Sequence, residues 1–172
     1  MKIRLAGDCN IDSIVDGPGL RIVIWTQGCR HNCFNCHNPQ THDVHGGSVV
    51  DTSEIIQLID ETQLQAGITL SGGEPFDQAV PLIEVAAHAK QNNLNVWAYT
   101  GYRYEDLLKN DEQRQLLEYV DVLVDGKFID AQRHYEIKFK GSLNQRIIDV
   151  QASLKANEVI LSHYDDDNLK IK

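Results

Sequence analysis

Short apolar runs rich in β-branched residues recur along the chain at similar intervals. They lie at 20–25 (LRIVIW), 67–70 (GITL), 94–99 (LNVWAY), 120–125 (VDVLVD) and 146–150 (RIIDV). Continuous apolar runs of this length are typical of strands that are buried inside a sheet. The pattern therefore predicts a strand at each of these places.

Helical periodicity separates several of these strands. In TSEIIQLIDETQ, one apolar stripe is formed by Ile55, Leu58 and Ile59. A second stripe, in PLIEVAAHAKQ, consists of Leu82, Val85, Ala86 and Ala89. A third helical stretch covers roughly 104–119 and is interrupted near KND. Helices are therefore expected between the predicted strands.

The alternation of strands and helices predicts the fold class. It is typical of right-handed parallel β/α units whose helices cover the sheet. The units are too few for a complete eight-stranded barrel. We expect an α/β fold whose parallel sheet forms an open, partial β/α barrel or a doubly wound sheet.

Unusual loops follow four of the predicted strands. A cysteine-rich segment follows 20–25, SGGEP follows 67–70, TGY follows 94–99 and DGK follows 120–125. In parallel α/β folds, functional residues collect in the loops after the carboxyl ends of the strands. All four loops are therefore expected at one edge of the sheet, around one shared site.

Composition limits the class of protein. The 172 residues are 42% hydrophobic and 24% charged, which fits a single domain over 1–172 with a polar tail from about 164. The sequence contains no long apolar run and no secretory signal, so we expect a cytoplasmic protein without a membrane segment. The net charge of −9 argues against nucleic-acid binding, because that binding relies on basic surface. A protein or small-molecule partner is expected instead.

Three of the four cysteines lie close together in GCRHNCFNCHNP, as Cys29, Cys33 and Cys36. In a reducing compartment, clustered cysteines are metal ligands or catalytic groups more often than disulfide partners. The segment is rich in loop formers, which are Gly28, Asn32, Asn35 and Pro39. We expect a loop that wraps its thiolates around a metal centre.

Three interpretations of this loop remain open. Structural zinc requires a fourth ligand, which His31 or His37 would supply, and the protein would then be a partner-binding module without enzymatic activity. Unliganded thiols are disfavoured because they oxidise. A four-iron cluster held by three cysteines would leave one iron open for a cofactor or substrate. Cys9 lies outside the group and is expected to be a small buried residue.

The spacing C-x3-C-x2-C, followed by GGE after the next strand, resembles the radical S-adenosylmethionine enzymes. More narrowly, the chain resembles the activating proteins of anaerobic ribonucleoside-triphosphate reductases, within the glycyl-radical activating enzymes. The resemblance rests on DGPGLRIVIWTQGC, CHNPQT, TLSGGEP, WAYTGY, VDVLVDGKF and GSLNQRIIDV, which cover most of the chain. It implies a partial (open) parallel β/α barrel of the radical S-adenosylmethionine type.

The resemblance also implies an activity. A [4Fe-4S] cluster and S-adenosyl-L-methionine would generate a 5′-deoxyadenosyl radical, which installs a glycyl radical on the large subunit of the anaerobic ribonucleoside-triphosphate reductase. A flavodoxin-type protein would donate the electron. The cluster and cofactor perform the chemistry, so no side chain is assigned a catalytic role. Alternatives are activation of another glycyl-radical enzyme and radical chemistry on a small molecule.

Site residues follow from the same resemblance. Cys29, Cys33 and Cys36 would bind the cluster. The residues expected at the cofactor are Asn35, Cys36, His37, Gly72, Gly73, Glu74, Thr100, Asp125 and Lys127. For Asp125 and Lys127, an ion pair that closes the turn is an equal alternative.

One departure from the family pattern lies just before the last cysteine. Many radical S-adenosylmethionine enzymes have an aromatic residue there, whereas this chain has Asn35. Stacking on adenine is therefore not expected at this position. The neighbouring Phe34 is expected to pack within the loop.

Overall fold

Residues 1–165 are described by the computed structural model and form one mixed sheet with helices packed against it. The strands are β1 (Lys2–Leu5), β2 (Asn10–Ser13), β3 (Arg21–Thr26), β4 (Ser48–Asp51), β5 (Gly67–Gly72), β6 (Asn95–Tyr99), β7 (Val122–Asp125) and β8 (Arg146–Asp149). The α-helices are α1 (Thr52–Glu61), α2 (Ala79–Gln91), α3 (Tyr104–Leu107), α4 (Asp111–Leu117) and α5 (Val150–Ala156). Short 3-10 helices span Pro39–Thr41, Pro75–Gln78 and Asp130–Gln132. The predicted α/β class is confirmed.

The sheet is largely parallel. Its strand order is β4-β1-β3-β5-β6-β7-β8, and β2 also pairs with β3. The central strands β3, β5, β6 and β7 are parallel, whereas β1, β2, β4 and β8 pair antiparallel. The strand predicted at 146–150 is present as β8, but it does not continue the parallel β/α pattern. Residues 126–145 connect β7 to β8 without a crossover α-helix, so β8 returns antiparallel.

The crossover helices share one face of the sheet. Helices α1 and α4 both pack against α2, and together they enclose the main hydrophobic core over the sheet. The other face carries a smaller cluster around Trp97, Val124 and Ile147. A doubly wound sheet would have helices on both faces. Within the described residues, the arrangement does not match that alternative.

Capping residues explain where two of the helices begin. Asp51 Oδ1 accepts the Ser53 amide at 3.2 Å, while Glu54 Oε1 accepts the Asp51 amide at 3.0 Å, which is a capping box for α1. Asn110 Oδ1 accepts the Gln113 amide at 3.1 Å and begins α4. The predicted break near KND is therefore confirmed.

The pattern missed β1, β2, β4 and α5. The three strands are only four residues long, and most of their residues are exposed or half-buried. Helix α5 begins immediately after β8, where Asp149 Oδ1 accepts the Ala152 amide at 3.0 Å. Such short elements leave too few residues for a hydrophobic period.

A buried arginine fixes the central strands relative to one another. Arg21 on β3 is 1% exposed, and its Nε donates to Thr69 Oγ1 on β5 at 2.7 Å. Its Nη2 donates to Asn95 Oδ1 on β6 at 2.9 Å. Burial lowers the pKa of Arg21 to about 10, so the guanidinium stays charged at neutral pH. Arg21 therefore has a structural role.

Two predictions concern regions away from the site. No helix within residues 1–165 has the length and apolar character needed to cross a membrane. At the start of the expected polar tail, the Tyr164 ring lies 5.5 Å from that of Trp97, and Asp165 is 5% exposed. The rest of that tail, 166–172, lies outside the described residues.

Candidate metal and cofactor site

A cavity of about 450 Å³ opens at the carboxyl edge of the parallel strands. All three clustered cysteines line it, together with the glycines after β5 and the loop after β6. The predicted residues in its wall are Cys29, Cys33, Cys36, His37, Gly72, Gly73 and Thr100. The loops that the sequence placed at one edge of the sheet therefore share one cavity.

The cysteine segment is a closed loop, as predicted. Its two ends are joined by backbone hydrogen bonds from Gly28 N to Thr41 O at 2.8 Å and from Cys29 N to His42 O at 3.2 Å. Asn32 and Asn35 adopt left-handed backbone conformations, with φ of 51° and 53°. Asparagine tolerates this region better than most residues, which explains its presence between the cysteines.

The thiols are suited to a soft metal centre. All four cysteines are free, and burial raises the pKa of Cys29 to about 11 and that of Cys33 above its ordinary value. A metal would offset this cost because it stabilises the thiolate. The Cys36 sulfur accepts the Asn38 amide at 3.4 Å, a contact that tunes iron–sulfur clusters.

The three clustered thiols are the donor type that a four-iron cluster takes. Cys29, Cys33 and Cys36 line one cavity, and thiolate sulfur is the soft ligand that iron–sulfur clusters prefer. Zinc accepts the same type of ligand. Among residues 1–165, no group of three His, Cys, Asp or Glu side chains is arranged to hold a single metal ion. The chemistry of the donor set therefore fits a [4Fe-4S] cluster with three cysteine ligands.

The glycines at the carboxyl end of β5 allow two loops to touch. Gly72 has φ of 102°, and a Cβ on Gly73 would lie 2.3 Å from the carbonyl oxygen of Gly28. The Gly73 amide donates to Thr26 O at 2.7 Å, and the Glu74 amide donates to Gly28 O at 2.8 Å. Glycine permits such a close approach because it has no Cβ. The structure shows that its partner within the chain is the cysteine loop.

Glu74 lies behind the wall of the cavity. Its side chain is 1% exposed, and Glu74 is not among the residues that line the cavity in the described chain. The carboxylate accepts hydrogen bonds from Thr100 and from the Gly101 amide, both at 2.8 Å. It also pairs with His31 Nε2 at 2.8 Å. Its contacts are therefore with the loops that build the site.

Asp125 and Lys127 do not reach the cavity wall. Asp125 is fully buried and accepts the Tyr104 amide at 2.8 Å and Arg146 Nε at 3.0 Å. Lys127 is exposed, and its charge acts on Cys33, where it lowers the thiol pKa against the larger effect of burial. Asp125 forms an ion pair with Arg146 on β8, a partner that the sequence analysis did not name.

The residues on either side of Cys36 differ in position. His37 lines the cavity, and its ring packs 4.9 Å from that of Phe128. Asn35 is exposed and its Nδ2 donates to Asp130 at 3.2 Å. Phe34 is 76% exposed, so the expectation that it packs within the loop is wrong. The left-handed conformation of Asn35 accompanies this outward turn.

Several wall residues were missed by the sequence analysis. Trp25, Tyr99, Lys140 and Gln145 all line the cavity. His31, which was named only as an alternative zinc ligand, also lines it. Gln145 belongs to the segment GSLNQR, which is part of the family resemblance, so this segment could have indicated it. The Gln145 Oε1 accepts the amides at 141 and 142 at 2.8 Å and 3.1 Å, while its Nε2 donates to the carbonyl at 126 at 2.9 Å. The side-chain amide of Gln145 therefore connects residues 141 and 142 to residue 126 beside the cavity.

Lys140 brings a buried positive charge to the same wall. Its side chain is 6% exposed, and its ammonium donates to Asp165 Oδ1 at 2.9 Å and to Gln145 O at 3.0 Å. Within residues 1–165, these two contacts use two of the three donors of the ammonium. No periodic or motif signal distinguishes this residue from the neighbouring exposed Lys138.

Comparison with known proteins gives consistent matches. A family described as a 4Fe-4S single cluster domain matches residues 15–148. Proteins named anaerobic ribonucleoside-triphosphate reductase-activating protein are similar over most of the chain. The one from Vibrio cholerae is 34% identical over 142 residues, which are 78% of this chain and 90% of that protein.

Relatives with the same name occur in other sources. The one from Salmonella typhi is 36% identical over 77% of this chain and 90% of its own length. The one from Enterobacteria phage T4 is 31% identical over 77% of this chain and 86% of its own length. Among solved structures, QueE from Escherichia coli has a TM-score of 0.47 and 15% identity, over 58% of this chain and 53% of that chain.

Proposed function

Since this chain belongs to the family of anaerobic ribonucleoside-triphosphate reductase-activating proteins, we propose that it installs a glycyl radical on such a reductase. When bound, the [4Fe-4S] cluster and S-adenosylmethionine supply one-electron cleavage to methionine and a 5′-deoxyadenosyl radical, which takes a hydrogen atom from a glycine of the reductase. The chain itself binds, orients and shelters these groups.

The observation that carries this proposal is the wall of the cavity. Cys29, Cys33 and Cys36 line it together with the Gly72 and Gly73 backbone. Three thiolates satisfy three irons and leave the fourth open, which is how catalytic metal sites differ from closed structural ones. The remaining cysteine, Cys9, packs against the hydrophobic core and does not line this cavity.

The cofactor would occupy the space beside the cysteines. The glycine backbone after β5 and Thr100 after β6 would face its methionine part. His37 would lie toward its adenine or ribose, since its ring is held beside Phe128. Four of the residues expected at the cofactor do not line the cavity and would instead hold the loops around it: Asn35, Glu74, Asp125 and Lys127.

The finer architecture and the partners also belong to this proposal. The parallel strands β3, β5, β6 and β7 are neighbours in the sheet in the same order as in the chain. Their helices pack on one face of the sheet, and both features support an open partial β/α barrel. The chain would act as one domain over 1–172 in the cytoplasm. A flavodoxin-type donor would supply the electron.

The test is anaerobic. The chain is reconstituted with iron and sulfide, reduced and mixed with S-adenosylmethionine, and 5′-deoxyadenosine is measured with and without the reductase. Electron paramagnetic resonance should show a glycyl radical on the reductase. A colourless, zinc-loaded protein without cleavage would contradict the proposal and support the structural zinc alternative.

Single substitutions make this test specific. Replacing any one of Cys29, Cys33 and Cys36 by Ala should abolish cleavage, because each removes a cluster ligand. Cys9→Ala is the matched control and should retain cleavage, since Cys9 lies against the core. Cleavage that survives in Cys33→Ala would refute the ligand assignment.

A further inference from the structure

We infer that the Glu74 carboxylate is a positioning group that ties the cysteine loop to the loops after β5 and β6, and that it does not bind the cofactor. Its neighbours within the chain occupy both of its oxygens. The inference rests on the proposed function only in taking Cys29, Cys33 and Cys36 as cluster ligands.

The hydrogen bonds of Glu74 are complete without a cofactor. Oε1 accepts the Phe76 amide at 3.0 Å and the Thr100 hydroxyl at 2.8 Å. Oε2 accepts the Gly101 amide at 2.8 Å and pairs with His31 Nε2 at 2.8 Å. An ionised carboxylate offers about four acceptor sites. With all four used and the side chain 1% exposed, no oxygen remains for a cofactor amino group.

These four contacts come from three separate loops. His31 lies between Cys29 and Cys33, whereas Gly101 follows β6 and Phe76 follows Glu74 itself. The Glu74 amide adds a bond to Gly28 O, directly before the first cysteine. One buried side chain therefore sets the distance between the cysteines and the surface that would receive the cofactor.

The His31 ring is held from a second side. Its side chain is 10% exposed, and its ring meets that of Tyr102 edge-on at a centroid distance of 4.5 Å. Tyr102 in turn donates its hydroxyl to Asp77 Oδ1 at 2.7 Å. Because the ring is fixed by both contacts, a change at Glu74 should be transmitted to the cysteine loop.

The first experiment measures how fast a chelator removes iron from the reconstituted chain. Groups that orient metal ligands typically change metal affinity by about 10–100-fold. Glu74→Gln and His31→Leu should therefore each accelerate iron loss by about tenfold or more. His31→Gln, which keeps a donor toward Glu74, should restore most of the retention. The double variant Glu74→Gln/His31→Leu should lose iron no faster than Glu74→Gln alone, since the contact that His31→Leu removes is one of those that Glu74→Gln already alters.

A matched pair of buried threonines controls for stability alone. Thr100→Val removes a bond to Glu74, whereas Thr52→Val removes a bond of 2.6 Å to Glu84, away from the cavity. Thr100→Val should accelerate iron loss and shift the resonance spectrum of the reduced cluster. Thr52→Val should leave iron loss and spectrum unchanged, even where it lowers thermal stability.

A second measurement uses the metal-free chain and so does not depend on the cluster. Amide hydrogen exchange at Gly101 should accelerate in Glu74→Gln, because that amide donates to Oε2. In His31→Leu, exchange should accelerate at Gly101 as well, if the three loops move together as inferred. Unchanged exchange in both variants would overturn the inference.

The outcomes separate the inference from the proposed function. A wild-type chain that takes up no cluster would contradict the proposed function, and hydrogen exchange would then decide the positioning role. A Glu74→Gln chain that keeps iron like the wild type, yet binds S-adenosylmethionine more weakly, would overturn the inference and make Glu74 a cofactor ligand.

Discussion

Two buried carboxylates at the ends of parallel strands show how one sequence signal can serve two purposes. Glu74 follows β5 and Asp125 ends β7, and both are at most 1% exposed. Glu74 is held by backbone amides, a hydroxyl and an imidazole from the loops around the cavity. Asp125 is paired with Arg146 on the neighbouring strand and is not among the residues that line the cavity.

The difference lies in what each carboxylate holds. The contacts of the Glu74 side chain join the cysteine loop to the loops after β5 and β6 beside the cavity, so its loss should affect the site before it affects the fold. The pair of Asp125 with Arg146 joins two paired strands, β7 and β8, that are already held by their ladder. Its loss should affect stability before it affects the site.

The largest effect is expected from the glycine beside Glu74. In Gly73→Ala, the new Cβ would lie 2.3 Å from the Gly28 carbonyl oxygen, which is backbone and cannot rotate away. The two loops must then separate, and the reconstituted chain should retain little iron. Iron content per chain after desalting measures this directly.

The matched control lies beside Asp125. A Cβ on Gly126 has no neighbour closer than 3.5 Å, so Gly126→Ala meets only the cost of its positive φ of 94°. That cost is about 1–2 kcal/mol. Gly126→Ala should be less stable and still retain iron. Equal iron loss in both variants would show that the two strand ends are equivalent and would break the comparison.

A smaller effect is expected at Asp125. Removing one partner of a buried ion pair typically costs about 3–5 kcal/mol, because the other charge is left uncompensated. In Asp125→Asn, Arg146 keeps its contact with Glu105, so we expect a loss of about 3 kcal/mol in the free energy of unfolding. Urea denaturation of the metal-free chain checks this value.

The same variant tests the alternative role of Asp125. The folded fraction of Asp125→Asn should show an unchanged KM for S-adenosylmethionine, because Asp125 is not in the wall of the cavity. A raised KM with little loss of stability would instead show that Asp125 binds the cofactor, as the family resemblance implies.

Strand-end motifs predicted the site because parallel topology brings these ends together. The cysteine spacing and GGE are local signals, and both loops line the cavity. The role of the Glu74 side chain was not predictable, since its partners His31 and Gly101 lie 43 and 27 positions away. A hydrophobic pattern indicates burial and does not identify hydrogen-bond partners.

The antiparallel direction of β8 was not predicted, for a related reason. RIIDV has the composition of a buried strand, and composition does not specify direction. Direction depends on the connection, and residues 126–145 pass by the cavity instead of forming a crossover helix. Lys140 and Gln145 reach the wall through this segment, which is why the sequence did not assign them to the site.

The smallest effect on stability is expected from Glu105, which pairs with Arg146 on its exposed side. Glu105 accepts Arg146 Nη2 at 2.8 Å, and this hydrogen bond lowers the Glu105 pKa to about 2. The Glu105 side chain is 52% exposed, and exposed ion pairs contribute at most about 1 kcal/mol. Because the folded pKa is depressed, this stabilisation is present above the ordinary glutamate value and is lost as pH falls toward 2.

Urea midpoints of the metal-free wild type and of Glu105→Gln should therefore differ slightly at pH 6 and converge as the pH is lowered from 5 toward 2. The exposed pair at Lys109 and Asp106 offers a control, since Asp106→Asn leaves Arg146 untouched. A difference that is as large near pH 2 as at pH 6 would mean that Glu105 stabilises the chain through packing and not through its charge.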